Sequence, residues 1–140
     1  MAGLAEMAGV LGLKLGKTGA SPLRIADEIE RGLPSASLAR LVRAIAPDDP
    51  DFKYKLVPKA TFARRKGKRL TPAHSERIAR YARLWATALN VWKSEEEARD
   101  FLWRSHPLLE GRRPIHLAAT EIGARLVEDV LGGLEHGTAV

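Results

Sequence analysis

Apolar residues in this chain recur every three or four positions, in short runs cut by proline and glycine, and that pattern confines it to an all-α fold. No stretch alternates polar and apolar with the period of two that a half-buried strand requires. Twice a hydroxyl residue stands directly before a proline, at Ser21-Pro22 and Thr71-Pro72. The hydroxyl can accept from the unpaired amides of a first helical turn, and the proline occupies a position where no N–H is needed.

The helices can be read off in order. Leu4, Met7, Val10, Leu11 and Leu15 are loosely spaced among five glycines in residues 1–20, which predicts a frayed helix or a flexible arm. Ser21 starts a helix with Ile25, Ala26, Ile29 and Leu33 on one face, stopped by Gly32 and Pro34. Ser35 opens the next, with Leu38, Leu41, Val42 and Ile45 as its stripe, and Pro47 and Pro50 end it. Residues 51–57 make a short helix with Phe52, Leu56 and Val57 inward, broken by Pro58. Thr61 is expected to cap a further short helix, holding Phe62 in and turning Arg64, Arg65 and Lys66 out, with Gly67 as its stop. Thr71 starts the longest helix, where Ile78, Tyr81, Ala82, Trp85, Ala88, Leu89 and Trp92 form a core stripe while Arg77, Arg80 and Arg83 extend the basic surface. Ser94 and Glu97 have capping-box spacing, and Ala98, Phe101 and Leu102 face inward from the helix they start. Thr120 caps a last helix with Ile122, Leu126, Val127, Val130 and Leu131 as its buried face, ended or loosened at Gly132-Gly133.

The stretch from Lys59 to Arg69 is where charge concentrates: six of its eleven residues are basic and none is acidic. Residues 51–93 hold twelve basic and two acidic side chains, a net of +10, whereas residues 94–140 hold five basic and nine acidic, a net of −4. A solvated helix face usually mixes both signs. A run free of acids suits a phosphate backbone, where bound counterions are released as cations replace them. A short helix, a tight turn and a short basic helix is helix-turn-helix geometry, with Lys59, Thr61, Arg64, Arg65, Lys66, Lys68 and Arg69 as DNA-binding candidates. Thr61 or Arg64 is placed to reach base edges, and the remaining cations to reach phosphates.

Several function classes find no support. With no cysteine there is no disulfide and no thiolate metal site, which is compatible with the cytoplasmic location expected for a DNA-binding protein. No apolar run approaches the roughly 20 residues of a membrane span, and Glu6 with no basic residue before it argues against a secretory signal. His74, His106, His116 and His136 share no metal-ligand spacing, and no nucleophile is paired with a base. No metal, cofactor or enzymatic role is expected, and His106, directly before Pro107, reads as a helix-end residue.

Short segments of the chain, in order, resemble the Xre/MbcA/ParS-type antitoxins, partners of RES-domain toxins in bacterial type II toxin–antitoxin pairs. They are Arg64-Arg65-Lys66, Arg69 to Pro72, Ser75 to Arg80, Ala98 to Leu102, His106 to Pro114, Glu121 to Glu128 and Leu134 to Gly137. The resemblance spans about residues 21–137 and is tightest in the C-terminal half. After the flexible or frayed arm read over 1–20, it implies an Xre-like helix-turn-helix bundle over 21–70 that binds the promoter of its own operon as a repressor, and a toxin-binding helical domain over 71–140. It further implies a toxin that consumes NAD or transfers ADP-ribose, whose active-site entrance the last helix and chain end cover. By position, the toxin-binding candidates are Glu121, Arg125, Glu128, Leu134, Glu135, His136 and Gly137. Two positions depart from the family: His74 stands where a capping-box Glu is usual, and His136 where an aromatic residue, commonly Tyr, precedes the last glycine of the motif. Reading a palindromic operator needs two copies, so a homodimer and a hetero-oligomer with the toxin are expected. The acidic C-terminal half is expected to act as a steric plug over a cationic pocket. The alternative is a stand-alone regulator whose C-terminal half serves only to dimerise.

Overall fold

The computed structural model describes residues 3–15 and 19–135 of the chain. These residues form helices joined by short turns, with isolated backbone bridges at Pro34–Arg69 and His106–Arg112 and no strand among them. In chain order the helices are α1 (Leu4–Leu11), α2 (Pro22–Arg31), α3 (Ser35–Ile45), α4 (Lys53–Leu56), α5 (Lys59–Arg65), α6 (Pro72–Trp92), α7 (Glu95–Trp103), α8 (Pro114–Leu117) and α9 (Glu121–Glu135), with a 3-10 turn at Pro107–Leu109. Packing divides the chain into two units, Met1–Ala82 and Arg83–Val140. The division falls within α6 and not at the Leu70–Thr71 step, because the first turns of α6 belong to the core of the first unit: Tyr81 meets Phe52 edge-on at 5.7 Å.

In the first unit the signals for helix starts act as the sequence implies. Ser21 Oγ accepts from the Arg24 amide at 3.2 Å and Pro22 takes the first helical position. Leu38, Leu41, Val42 and Ile45 are buried on α3, together with Phe52, Leu56 and Val57 around α4. The N-terminal segment corrects the expectation of a frayed arm. Met7, Ala8 and Leu11 of α1 are buried, α1 packs on α3, and Ser37 Oγ donates to the Leu11 carbonyl at 2.6 Å. The loose leucine spacing is enough once Leu11, 1% exposed, finds a partner surface. Thr61 is also corrected: α5 begins two residues before it, after Pro58, whose extended ψ of 145° sets the helix start without a side-chain cap.

In the second unit Ser94 Oγ accepts from the Glu97 amide at 3.2 Å and Thr120 Oγ1 from the Gly123 amide at 3.0 Å. His106 caps the 3-10 turn, its Nδ1 accepting from the Leu108 amide at 3.2 Å, so its role at a helix end is structural. Helix α8 packs against α7 and α9. Helix α9 runs through Gly132-Gly133 to Glu135 without ending there. Its buried face also differs from the expected one: Gly123, Ala124, Val127 and Leu131 face the core, while Ile122 is 76% and Leu126 49% exposed. Gly123 explains the rotation, since its missing side chain lets α9 lie against the Leu117 carbonyl of α8.

A Gly→Ala change inside a helix ordinarily stabilises it by about 0.5–1 kcal/mol. At Gly123 a Cβ would overlap backbone oxygen, which cannot rotate away, so overpacking outweighs propensity. Gly123→Ala is expected to destabilise the protein by roughly 1–3 kcal/mol in urea unfolding, whereas Gly132→Ala, with open space around it, should leave stability unchanged or raise it.

Candidate functional site

The basic stretch becomes α5, a turn at Lys66-Gly67 and a short strap that runs on to Leu70. Helix α5 has no buried residue of its own. Its hold on α4 is an edge contact between the Phe62 and Tyr54 rings at 6.1 Å, with Lys53 Nζ 4.9 and 5.2 Å from the two ring centres and Lys59 Nζ 5.5 Å from that of Tyr54. Such cation–ring contacts at partly exposed sites contribute about 0.5–1 kcal/mol each. The firmer attachment comes after the helix. The Gly67 amide donates to Ser35 Oγ at 2.9 Å, Ser35 N–H to the Lys68 carbonyl at 2.9 Å, and Leu70 N–H to the Leu33 carbonyl at 2.8 Å. Fully buried Ser75, from α6, completes the junction by accepting from the Leu33 amide at 2.7 Å. Gly67 at φ +78° makes the reversal, and Gly32 at φ +90° is required because a Cβ there would overlap the Leu70 carbonyl.

The seven DNA-binding candidates separate by environment. Lys59, Arg64, Lys66 and Lys68 are exposed, and Thr61 is half-buried within α5. Arg65 donates to the Arg69 carbonyl at 3.1 Å. Arg69 donates to the Gly32 carbonyl at 2.7 Å and reaches Glu28 Oε2 at 3.4 Å. On α6, Arg77 donates to the Leu56 carbonyl at 3.2 Å. His74 sits where its amide is capped by Thr71 Oγ1 at 3.2 Å while its Nδ1 lies 3.0 Å from the same hydroxyl, so the imidazole takes up the hydroxyl a capping-box Glu would leave to the amide alone. Burial, then the positive charges of Arg77 and Arg65, hold the His74 pKa below its ordinary value.

In the second unit Arg83 is not part of a basic surface. Its guanidinium bonds Glu128 through both carboxylate oxygens, at 3.0 and 3.1 Å, and Glu121 at 2.9 Å. Arg125 adds a 3.0 Å bond to Glu121. Two toxin-binding candidates, Glu121 and Glu128, are thereby engaged in holding α9 to α6. Glu135 accepts from Asn90 at 3.1 Å and Leu134 is half-buried, while Arg125 is exposed. His136 and Gly137 lie outside the described residues. Ile122 and Leu126, assigned to the core by their size, instead stand one turn apart on the solvent side of α9, flanking Arg125. The signal that could have found them is the Gly123-Ala124 pair, two small residues one step along the helix that mark a close approach on the opposite side.

Among the described residues no group of three or more His, Asp or Glu could hold a metal ion, and no helix is long and apolar enough to cross a membrane. Comparison with known proteins assigns both halves. Residues 24–83 match the antitoxin Xre-like helix-turn-helix domain, and residues 87–137 match the antitoxin Xre/MbcA/ParS C-terminal toxin-binding domain. A protein described as antitoxin Xre, from Yersinia enterocolitica serotype O:8 / biotype 1B (strain NCTC 13174 / 8081), is 38% identical over 85 residues. The match covers 58% of this chain and 57% of that relative, little more than half of each.

The Arg83 cluster generates a prediction about stability and pH. Burial would raise the Glu121 carboxyl, but hydrogen bonds from Arg83 and Arg125 outweigh it and hold its pKa below the ordinary 4.5. A depressed acid contributes stability above its unfolded pKa and loses it as pH falls through the folded value. Arg83 is 19% and Glu128 24% exposed, so their pairing is partly shielded from solvent. Arg83→Met, which keeps the aliphatic stem, is expected to cost roughly 1–3 kcal/mol in urea unfolding at pH 7. Its deficit against the wild type should narrow in acid below pH 4.5, where Glu121 begins to protonate in the unfolded chain.

Proposed function

The chain belongs to the Xre/MbcA/ParS antitoxins, regulatory toxin-binding proteins and not enzymes, and from that premise we propose that it neutralises a RES-domain, NAD-consuming toxin and represses its own operon. The observation that carries the toxin half is α9. This helix lies within the stretch matched to the toxin-binding domain, is fixed on its inner side by Gly123, Val127 and Leu131, and leaves Ile122 and Leu126 in solvent on the other. Large apolar side chains exposed on a helix that already has a buried face suit a protein interface better than a solvated surface.

Neutralisation by this arrangement is steric. Helix α9 docks its Ile122–Leu126 side at the entrance of the toxin's active site, Arg125 pairs with an acidic group there, and Leu134 to Gly137 continue into the opening. Glu121 and Glu128 act mainly from within, through Arg83, by keeping α9 at a fixed rotation. Preorganisation of this kind supports affinity because little side-chain freedom is left to lose on binding. The DNA half rests on the helix-turn-helix match together with the acid-free run from Lys59 to Arg69. Two copies of the unit would read a palindromic operator, with the chain acting in the cytoplasm where its operon and toxin are found.

The test is cellular NAD after induction of the adjacent toxin gene, with and without this protein. NAD is expected to fall with the toxin alone and to be restored by the wild-type chain. Ile122→Asp with Leu126→Asp should fold normally, because both positions are exposed, yet fail to restore NAD. Deletion of residues 134–140 should weaken restoration as well. An NAD level that the toxin never lowers would remove the RES assignment, and full restoration by the double variant would remove α9's outer side from the interface.

A further inference from the structure

We infer that the basic cluster is divided in two: Arg64, Lys66 and Lys68 meet the phosphates of duplex DNA, while Arg65 and Arg69 are positioning residues that hold the strap carrying them. This deepens the DNA-binding reading above and rests on it.

By composition the cations between Arg64 and Arg69 are equivalent; by bonding they are not. Arg69 donates to the Gly32 carbonyl at 2.7 Å and faces Glu28, whose side chain is only 18% exposed. Both bonds are made through Nη1, which orients the guanidinium along the point where the strap crosses the end of α2. Arg65 is half-buried and closes the strap on itself by donating to the Arg69 carbonyl at 3.1 Å. Both guanidiniums therefore bond backbone oxygens of the very segment, or its partner segment, that fixes the main chain between them. A buried or half-buried carbonyl stripped of its donor carries the full cost of the unmade hydrogen bond.

Arg64, Lys66 and Lys68 are exposed, as Arg69 also is, but unlike Arg65 and Arg69 they make no side-chain hydrogen bond to the main chain, and they make no ion pair among the described residues. The main chain under the two lysines is nevertheless fixed, since Gly67 N–H bonds Ser35 Oγ and the Lys68 carbonyl accepts from Ser35 N–H. Free ammonium groups on a fixed backbone are suited to phosphate contact, because only side-chain freedom is lost on binding. Glu28 is directed at Arg69 and Arg31, not at these three.

Counterion release separates the two roles. Each phosphate contact adds about 0.9 to the steepness with which log K for duplex DNA falls with log salt. A positioning residue alters affinity at every salt concentration and leaves the steepness alone. The experiment is fluorescence anisotropy of the full chain with a mixed-sequence DNA duplex over a salt series, with each variant's fold checked by circular dichroism and thermal melting. Arg64→Gln, Lys66→Gln and Lys68→Gln are each expected to reduce the slope by about 0.9 while melting like the wild type. Arg65→Gln and Arg69→Gln should weaken binding several-fold at all salts with the slope unchanged, and Arg69→Lys, which can still donate to the Gly32 carbonyl, should recover most of the loss. A slope reduced by about one in Arg65→Gln or Arg69→Gln overturns the division, as does an unchanged slope in Lys66→Gln or Lys68→Gln. If Arg69→Gln melts below the assay temperature, Arg65→Gln and the three exposed variants decide by the same criterion. A wild-type chain that binds no duplex even at low salt defeats the DNA-binding reading itself, an outcome distinct from any change among the variants.

Discussion

The basic helix α5 and the cations that follow it hang on one backbone junction, the pairing of Leu33–Ser35 with Gly67–Leu70. Helix α5 has no fully buried residue, so most of the cohesion of a basic helix with the fold has to come from the residues that follow it. Leu33 and Leu70 are almost fully buried at the two sides of this junction. Burying such side chains contributes about 1.5–3 kcal/mol each, against roughly 0.5–1.5 kcal/mol net for each hydrogen bond. The leucines thus supply most of the holding energy, and the bonds to Ser35 and Ser75 supply direction. Ser75 matters beyond its one bond: fully enclosed, its hydroxyl satisfies a Leu33 amide that would otherwise be buried without a partner, and it ties the first turn of α6 to the Leu33 side of the junction.

The second unit holds its candidate surface by a different means. Arg83 bridges from α6 to two carboxylates on α9, one of them shared with Arg125. A partly buried cation between two acids is a poor source of net stability compared with apolar packing, but it fixes rotation well, because a bidentate guanidinium tolerates little misalignment. Gly123 fixes the same rotation from the opposite direction by admitting the Leu117 carbonyl. Two constraints that agree leave Ile122 and Leu126 no way into the core.

Much of this was legible in the sequence, and the failures share a cause. The hydroxyl caps at Ser21, Thr71, Ser94 and Thr120, the stripes of α3 and α6, and the stop at Gly67 are local patterns, and they act as read. What could not be read is what a surface turns towards. Arg69 and Arg83 are indistinguishable by composition from their neighbours, yet one is directed at a main-chain carbonyl and the other at two glutamates from a helix about forty residues away. Ile122 and Leu126 misled through size: the apolar arc of α9 is wide enough to offer two faces, and the smaller residues won because glycine permits an approach that isoleucine forbids. Helix α1 was underestimated because five glycines obscured the three side chains that find α3.

The engaged glutamates change what kind of interface α9 can offer. From charge alone, a C-terminal half with a net of −4 suggests attraction to a cationic pocket. Yet Glu121 and Glu128 already face Arg83, so two of the four acids on this helix are paired internally. What remains outward is Ile122, Leu126, the cation Arg125 and the exposed acid Asp129. Surface ion pairs contribute about 0–1 kcal/mol and are weakened by salt, whereas enclosing two large aliphatic side chains contributes about 3–6 kcal/mol together. For the proposed docking, apolar burial therefore outweighs charge as the source of affinity. Charge has the lesser part of steering and register, and the acids of α9 do most of their work by deciding which side of the helix a partner meets.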